Sequence, residues 1–266
     1  MISLEAAETW SARAIGLATL LQSIEMLQVH RALRDDGVFA WPVLRREHRA
    51  LPALLRLGLA LLLPYRAFML LTVLRVGLSV LLLLTGNSLA TLLLLITQIA
   101  TAVRFRGAFN GGSDSMSVIV LLALSLARLA QAWPLAVAAC LVYIAAQLTL
   151  SYFIAGVAKL REPRWRDGTA LTTFCGDARF GAPTWVRRVL SVPAIARILA
   201  SGVLLFECCF PLALAGSRAA LFFTAVGAVF HLMNSVVFGL NRFFFAWLAA
   251  YPALLFASSL HAGVAP

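Results

Sequence analysis

The chain has 266 residues, of which 62% are hydrophobic and only 12% charged. Soluble domains carry roughly a quarter charged residues, so this composition excludes a water-soluble domain, and with it a disordered, collagen-like or disulfide-stapled chain. The formal charge of +11, from 22 Lys and Arg against 11 Asp and Glu, reads in so apolar a chain as basic cytoplasmic loops facing anionic lipid, not as a nucleic-acid surface.

The N-terminus opens Met1-Ile2-Ser3-Leu4-Glu5, with a second acid at Glu8 and no early basic cluster. That is not a signal peptide, so the first apolar run is expected to stay in the mature protein. A membrane-crossing helix needs about 20 mostly apolar residues. The first such span is predicted at about 11–29 and holds one acid, Glu25. A basic connector follows, with Arg31, Arg34, Arg45, Arg46 and Arg49, and with His30 and His48 read as solvated or interfacial. The run at about 51–63 is too short to cross easily and ends at Pro64-Tyr65-Arg66, which suggests an interfacial or re-entrant segment. Spans are then predicted at about 67–86 and 88–104, divided by Gly86-Asn87. Asn110-Gly111-Gly112-Ser113-Asp114 reads as a turn followed by a helix N-cap.

A short span at about 115–131 comes next, and Trp133-Pro134 leads into a longer one at about 135–160. A polar, Arg-rich connector covers about 161–191. The last spans fall at about 192–215, 219–239 and 243–262, with His261 interfacial near the end. The predicted fold is therefore all-α: a polytopic membrane bundle of about eight transmembrane helices, one domain over 1–266 with no soluble domain. If the N-terminus is outside, the connectors at 30–50, 104–114, 161–191 and 240–242 all face the cytoplasm. They hold most of the arginine, as the positive-inside rule demands, whereas the opposite connectors hold only Arg218.

The cysteines, Cys140, Cys175, Cys208 and Cys209, form no Cys-x-x-Cys pair and read as small buried thiols. No zinc spacing, P-loop or Rossmann glycine pattern occurs, and no metal is expected. Three other places carry chemistry. Lys159 is the only lysine in a chain that otherwise uses arginine. Arginine cannot release its proton in a protein, whereas a desolvated lysine can. On a helix, Tyr152, Ala155, Gly156 and Lys159 share one face, and the small residues let a helix or ligand approach. The residues alone leave two readings open: a base, or a cation that snorkels to the headgroups with Trp165 as interface anchor and Asp167-Gly168 as a turn. Glu207 lies deep in Val203-Leu-Leu-Phe-Glu207-Cys-Cys-Phe-Pro211, where an ionised, unpaired carboxyl is costly. It should be protonated or paired with a base from another helix, and Pro211 should weaken the backbone bond to its carbonyl. His231, with Asn234 and Ser235 at i+3 and i+4, makes a polar stripe that needs partners or lines a cavity. Glu207, His231 and Asn234 are expected to face one interior space.

Tyr152-Phe-Ile-Ala-Gly-Val-Ala-Lys159-Leu, followed by Trp165 and Gly168, resembles the signature of the vitamin K-dependent gamma-glutamyl carboxylase. Phe230-His231-Leu-Met-Asn234-Ser235, followed by Phe238 and Phe243, resembles that enzyme's later His-x-Met-Asn-Ser helix. The motifs cover about 150–245 and point to the wider HTTM domain family, which includes bacterial sporulation-delaying-protein-B-like members. The resemblance implies a multi-pass protein of the bacterial inner membrane. It implies a base at Lys159 that deprotonates a vitamin K-like quinol, with His231 and Glu207 as further catalytic residues. Tyr152, Gly156, Asn234 and Ser235 are then expected to hold the cofactor, and a peptide or small molecule to be the substrate. The alternative is a non-catalytic partner subunit in a peptide-toxin maturation or export system, its polar residues only holding helices together.

Overall fold

The computed structural model describes residues 2–105, 111–177 and 181–262, with side chains to residue 260. The turn predicted at Asn110 and the reading of His261 lie outside the described residues. Helix α1 (Leu4–Gln28) starts where Ser3 Oγ accepts a hydrogen bond from the Ala6 amide at 3.1 Å, a serine N-cap that satisfies an otherwise orphaned donor. Two 3-10 turns, His30–Leu33 and Arg45–His48, flank the short α2 (Trp41–Leu44). Then come α3 (Ala53–Leu62), α4 (Tyr65–Thr85), α5 (Ser88–Phe105), α6 (Gly111–Leu129) and α7 (Pro134–Arg161). Three short helices follow, α8 (Pro163–Arg166), α9 (Thr169–Gly176) and α10 (Thr184–Leu190). The chain ends with α11 (Pro193–Cys209), a 3-10 turn over Phe210–Ala215, α12 (Ser217–Phe238) and α13 (Asn241–Ala262). Pro134, Pro163 and Pro193 each open a helix, where the missing N–H costs nothing. No strand occurs among the described residues. The protein is an all-α membrane bundle.

Among the described residues seven helices are long and apolar enough to cross a membrane: Tyr65–Thr85, Ser88–Phe105, Gly111–Leu129, Pro134–Arg161, Pro193–Ala215, Ser217–Phe238 and Asn241–Leu260. Helix α1 is the eighth long helix and is more polar than these. Its place in the interior explains how it tolerates that polarity. It packs along α4 and α13 and touches α6, and its polar groups are matched there. Glu8 faces Arg128 of α6 at 2.9 Å and accepts from Gln131 at 2.9 Å. Near its other end, Glu25 accepts from Arg242 Nε at 2.9 Å. The Arg242 guanidinium also lies 4.9 Å from the centre of the Phe105 ring.

A charged cluster that sequence inspection did not single out lies between α1, α4, α5 and α6. Arg75 is buried at 1% exposure in the middle of α4. Its guanidinium donates to Ser23 Oγ (3.2 Å), Thr101 Oγ1 (3.1 Å), Gln22 Oε1 (2.8 Å) and Gln98 Oε1 (2.9 Å). The amide nitrogens of Gln22 and Gln98 in turn donate to Asp114 Oδ1 at 2.8 and 3.3 Å. Two glutamines thus bridge a buried cation to a buried carboxylate, so that neither charge faces lipid unpaired.

The two connectors are more structured than their arginine content suggests. The segment at 51–63 contains the ten-residue α3, with no buried residue. At about 1.5 Å per residue it reaches only ~15 Å, half the hydrocarbon thickness. The stretch 161–191, predicted as a polar connector, is instead α8, α9 and α10, whose apolar residues Cys175, Val186 and Leu190 pack with Ala196 and Val237. The arginines of these helices point away from that cluster, which is why a count of charge hid the amphipathic pattern. Gly168 adopts φ +87°, and a Cβ there would lie 2.6 Å from the Arg197 amide. The Asp167-Gly168 turn therefore brings α8 and α9 directly onto the backbone of α11. Hydrogen bonds from the Thr169 hydroxyl and amide to Asp167 hold that carboxyl below its usual pKa.

Because α3 cannot cross, the antiparallel helices leave residues 30–64, 161–192 and 239–240 at one end of the bundle. Reporter fusions at residues 38, 64 and 190 should all read cytoplasmic, and a periplasmic signal at 190 would reverse the orientation argued from the arginines.

Candidate functional site

The Gly and Ala positions of α7 set the site by letting α11 come close. A Cβ on Gly156 would lie 2.7 Å from the Cys208 amide and 2.9 Å from its Sγ. This contact brings Lys159 opposite Glu207. Nζ donates to both carboxylate oxygens, each at 2.7 Å, so the partner expected for Glu207 is Lys159. Glu207 is 2% exposed. It lies near the C-terminus of α11, where the helix gives way to a 3-10 turn at Pro211 and the Phe210 amide bonds to the Glu207 carbonyl. The Lys159 ammonium also stands 5.4 Å from the centre of the Trp165 ring, close enough for a cation–π contact.

Tyr152 sits two turns before Lys159 on the same helix. Its ring stacks on Phe210 at 3.9 Å, and its hydroxyl lies 2.9 Å from that of Tyr251 on α13. Gly227 of α12 makes room for this pair, since a Cβ there would fall 2.5 Å from the Tyr251 hydroxyl. His231 is 4% exposed and ringed by aromatic side chains, with Trp247 at 4.9 Å and Tyr152 at 5.6 Å between ring centres. Among the described residues neither His231 Nδ1 nor Nε2 has a hydrogen-bond partner, and the indole Nε1 of Trp247 also lacks one. Buried polar atoms are nearly always satisfied, so three orphaned nitrogens in one place call for a ligand or water.

These groups surround a cavity of about 180 Å³ lined by Tyr152, Lys159, Glu207, His231, Asn234 and Trp247, with Ser151, Ala155, Phe230, Leu240 and Phe243. A larger apolar cavity of about 480 Å³ adjoins it and shares Lys159, Phe230, Asn234 and Leu240. Its other walls come from α9 and α10, including Phe174 and Trp185, from Leu199 and Val203 of α11, and from Trp165 and the end of α12. The arrangement offers a polar head space beside a long apolar slot.

Of the seven residues singled out in the sequence, five line the smaller cavity. Gly156 does not; it is the α7–α11 contact, because its missing side chain is taken up by Cys208. Ser235 does not either; its hydroxyl donates to Asn241 Oδ1 at 2.7 Å and ties the end of α12 to the start of α13. Gly156→Val should therefore destabilise the bundle by about 1–3 kcal/mol through overpacking. A thermal melt without any added ligand would show it, and an unchanged melting temperature would return Gly156 to a binding role. Sequence inspection missed Trp247 and Tyr251, which look like ordinary aromatic core; the only signal was their four-residue spacing, which puts both on one face of α13. The cysteines are free thiols, and burial pushes Cys175 up from the ordinary thiol pKa, away from the reactive thiolate.

No curated protein and no solved structure matches the chain. The HTTM domain family does, over residues 128–259. That range contains every residue lining the smaller cavity and leaves out the Arg75 cluster. Residues 128–259, which hold both the Lys159 and the His231 segments, thus match the HTTM domain family, in an integral membrane protein of many helices.

Proposed function

We propose that the protein is a membrane enzyme in which Lys159 acts as a base toward a lipid-soluble, quinol-like group, in the modification of a peptide or small substrate at a bacterial inner membrane. The observation that carries this reading is the pairing of His231, buried with two unpartnered nitrogens, with the Lys159–Glu207 pair across one cavity. The donor set fits such a group: polar atoms converge on a head space, and the adjoining slot is walled by aromatic and aliphatic side chains. When bound, a quinol supplies an acidic hydroxyl and two removable electrons.

The residues divide the work. Lys159 and Glu207 together carry no net charge, which suits the membrane interior. A proton passed from Nζ to the carboxylate leaves a neutral amine at the cavity wall, able to accept a proton in turn. His231, as a neutral imidazole, accepts at one ring nitrogen and donates from the other, so it can move a proton across the head space. The Trp247 indole donates only, and Asn234 both donates and accepts; they orient an oxygen against Lys159. The aromatic ring around His231 keeps water out and strengthens each of these contacts.

The two-oxygen bond that ties α7 to α11 favours a second reading, in which the pair only staples helices in a non-catalytic subunit of a peptide-toxin maturation or export system. A titration separates the two. The protein in lipid nanodiscs receives a naphthoquinol with a short isoprenoid tail while tryptophan emission is followed. Saturable quenching, reduced in Trp247→Phe and lost in His231→Leu, supports the enzyme. Absence of saturable quenching in the intact protein moves the weight to the subunit.

A further inference from the structure

We propose that the connector before α4 is a binding site for the phosphate headgroup of an anionic phospholipid, built from Arg45, Arg46, Arg49 and Arg56. The four side chains line one cavity of about 570 Å³, together with Trp41 and His48. They come from the second 3-10 turn, the bend after it, and α3. Arg56 donates to the Arg49 carbonyl at 3.4 Å, which ties the bend to α3. The frame behind them is fixed from inside. The fully buried Arg104 donates to the carbonyls of Leu33, Phe39 and Leu63, and Trp41 packs in an apolar cluster with Leu63 and Phe68.

Charge decides what the cavity attracts. Four guanidinium groups face it, against one carboxylate, Asp35. Among the described residues no ion pair neutralises any of the four; the neighbouring Arg34 is paired to Asp36 at 3.3 Å instead. Like charges held together in this way repel until an anion joins them, and guanidinium matches phosphate oxygens in pairs.

Position selects a lipid over free phosphate. The leucines of α3 are bare: Leu54 is 79% exposed, Leu55 and Leu57 57%, and Leu61 65%. A helix of this length cannot cross, so it lies in the interface with those leucines among acyl chains. The arginine cavity, bounded by Leu59, Ala60 and Pro64, is then at headgroup depth. A single phospholipid satisfies both surfaces, its phosphate in the cavity and its chains along the leucines.

The test is lipid retention, read by native mass spectrometry of protein released from mixed vesicles of phosphatidylcholine and phosphatidylglycerol. Intact protein should retain phosphatidylglycerol at least tenfold over its share of the mixture. R45Q/R46Q/R49Q/R56Q should lose that preference, while R161Q/R164Q/R187Q/R188Q, with the same change in net charge at the same end of the bundle, should keep it. Equal loss in both variants would make the effect general surface charge and overturn the site. Displacement of the lipid by millimolar inorganic phosphate would overturn the lipid assignment. Should the first variant fail to fold, the intact protein still decides: no preference for phosphatidylglycerol overturns the proposal.

Discussion

Replacing Lys159 by arginine should abolish function as fully as replacing it by alanine, with activity lowered at least about 100-fold in each case, the scale of a lost general base. The geometry sharpens the contrast between base and staple. Lys159 reaches Glu207 through a single nitrogen that bonds to both carboxylate oxygens. A guanidinium bonds carboxylates at least as well, through two parallel contacts, and it snorkels as readily. Arginine would therefore serve a purely structural pair. It cannot, however, release its proton at any usable pH. Complementation of a gene deletion, scored with each variant at equal membrane abundance, reads the difference. Full rescue by Lys159→Arg would remove the base and leave the helix-stapling subunit.

The largest loss of stability should come from outside the HTTM match. Arg75→Met leaves Gln22, Gln98 and the buried Asp114, near the start of α6, without the cation that the two glutamines bridge to that carboxylate. Breaking a buried charge pair in this way typically costs about 3–5 kcal/mol. The fully connected network predicts an unusual recovery: Arg75→Met combined with Asp114→Leu should be more stable than Arg75→Met alone, since the stranded charge is gone. Unfolding by denaturant in detergent micelles, followed by circular dichroism, measures both. An Arg75→Met protein that unfolds like the parent would show that water or lipid reaches the cluster and satisfies it.

How much of this was legible in the sequence follows from how polar groups behave in lipid. Lys159, Glu207 and His231 could be found because each interrupts an apolar run, where its presence is costly. At about 1.5 Å of rise per residue, counting from the turn that joins α11 to α12 puts Glu207 and His231 within about one helical turn of each other in depth. Arg75 interrupts the apolar run of α4 in the same way and was passed over; what stayed hidden was the cluster around it. Its bridging members are glutamines, serine and threonine, which a membrane helix tolerates singly, and their partners lie up to 92 residues away. Helical periodicity tells which residues share a face and not which face meets it. The same limit left open whether a helix or a ligand approaches Gly156, where the neighbour is Cys208 of α11, and it did not show that Ser235 bonds Asn241.

Helix α1 has a consequence for the order of assembly. Its charged partners are made after it, and at different times: Glu8 pairs with Arg128, whereas Glu25 bonds Arg242, 217 residues later. At about 5–20 residues per second, translation separates the two by roughly 10–45 seconds. During that time α1 carries Glu25 without the group that neutralises it, so that end of the helix is fully seated only when α13 arrives. A ribosome-stalled chain ending before Arg242 should leave α1 open to protease where the finished protein protects it. Assembly of this helix thus outlasts its synthesis, its last ionic contact closing only after α13 is made.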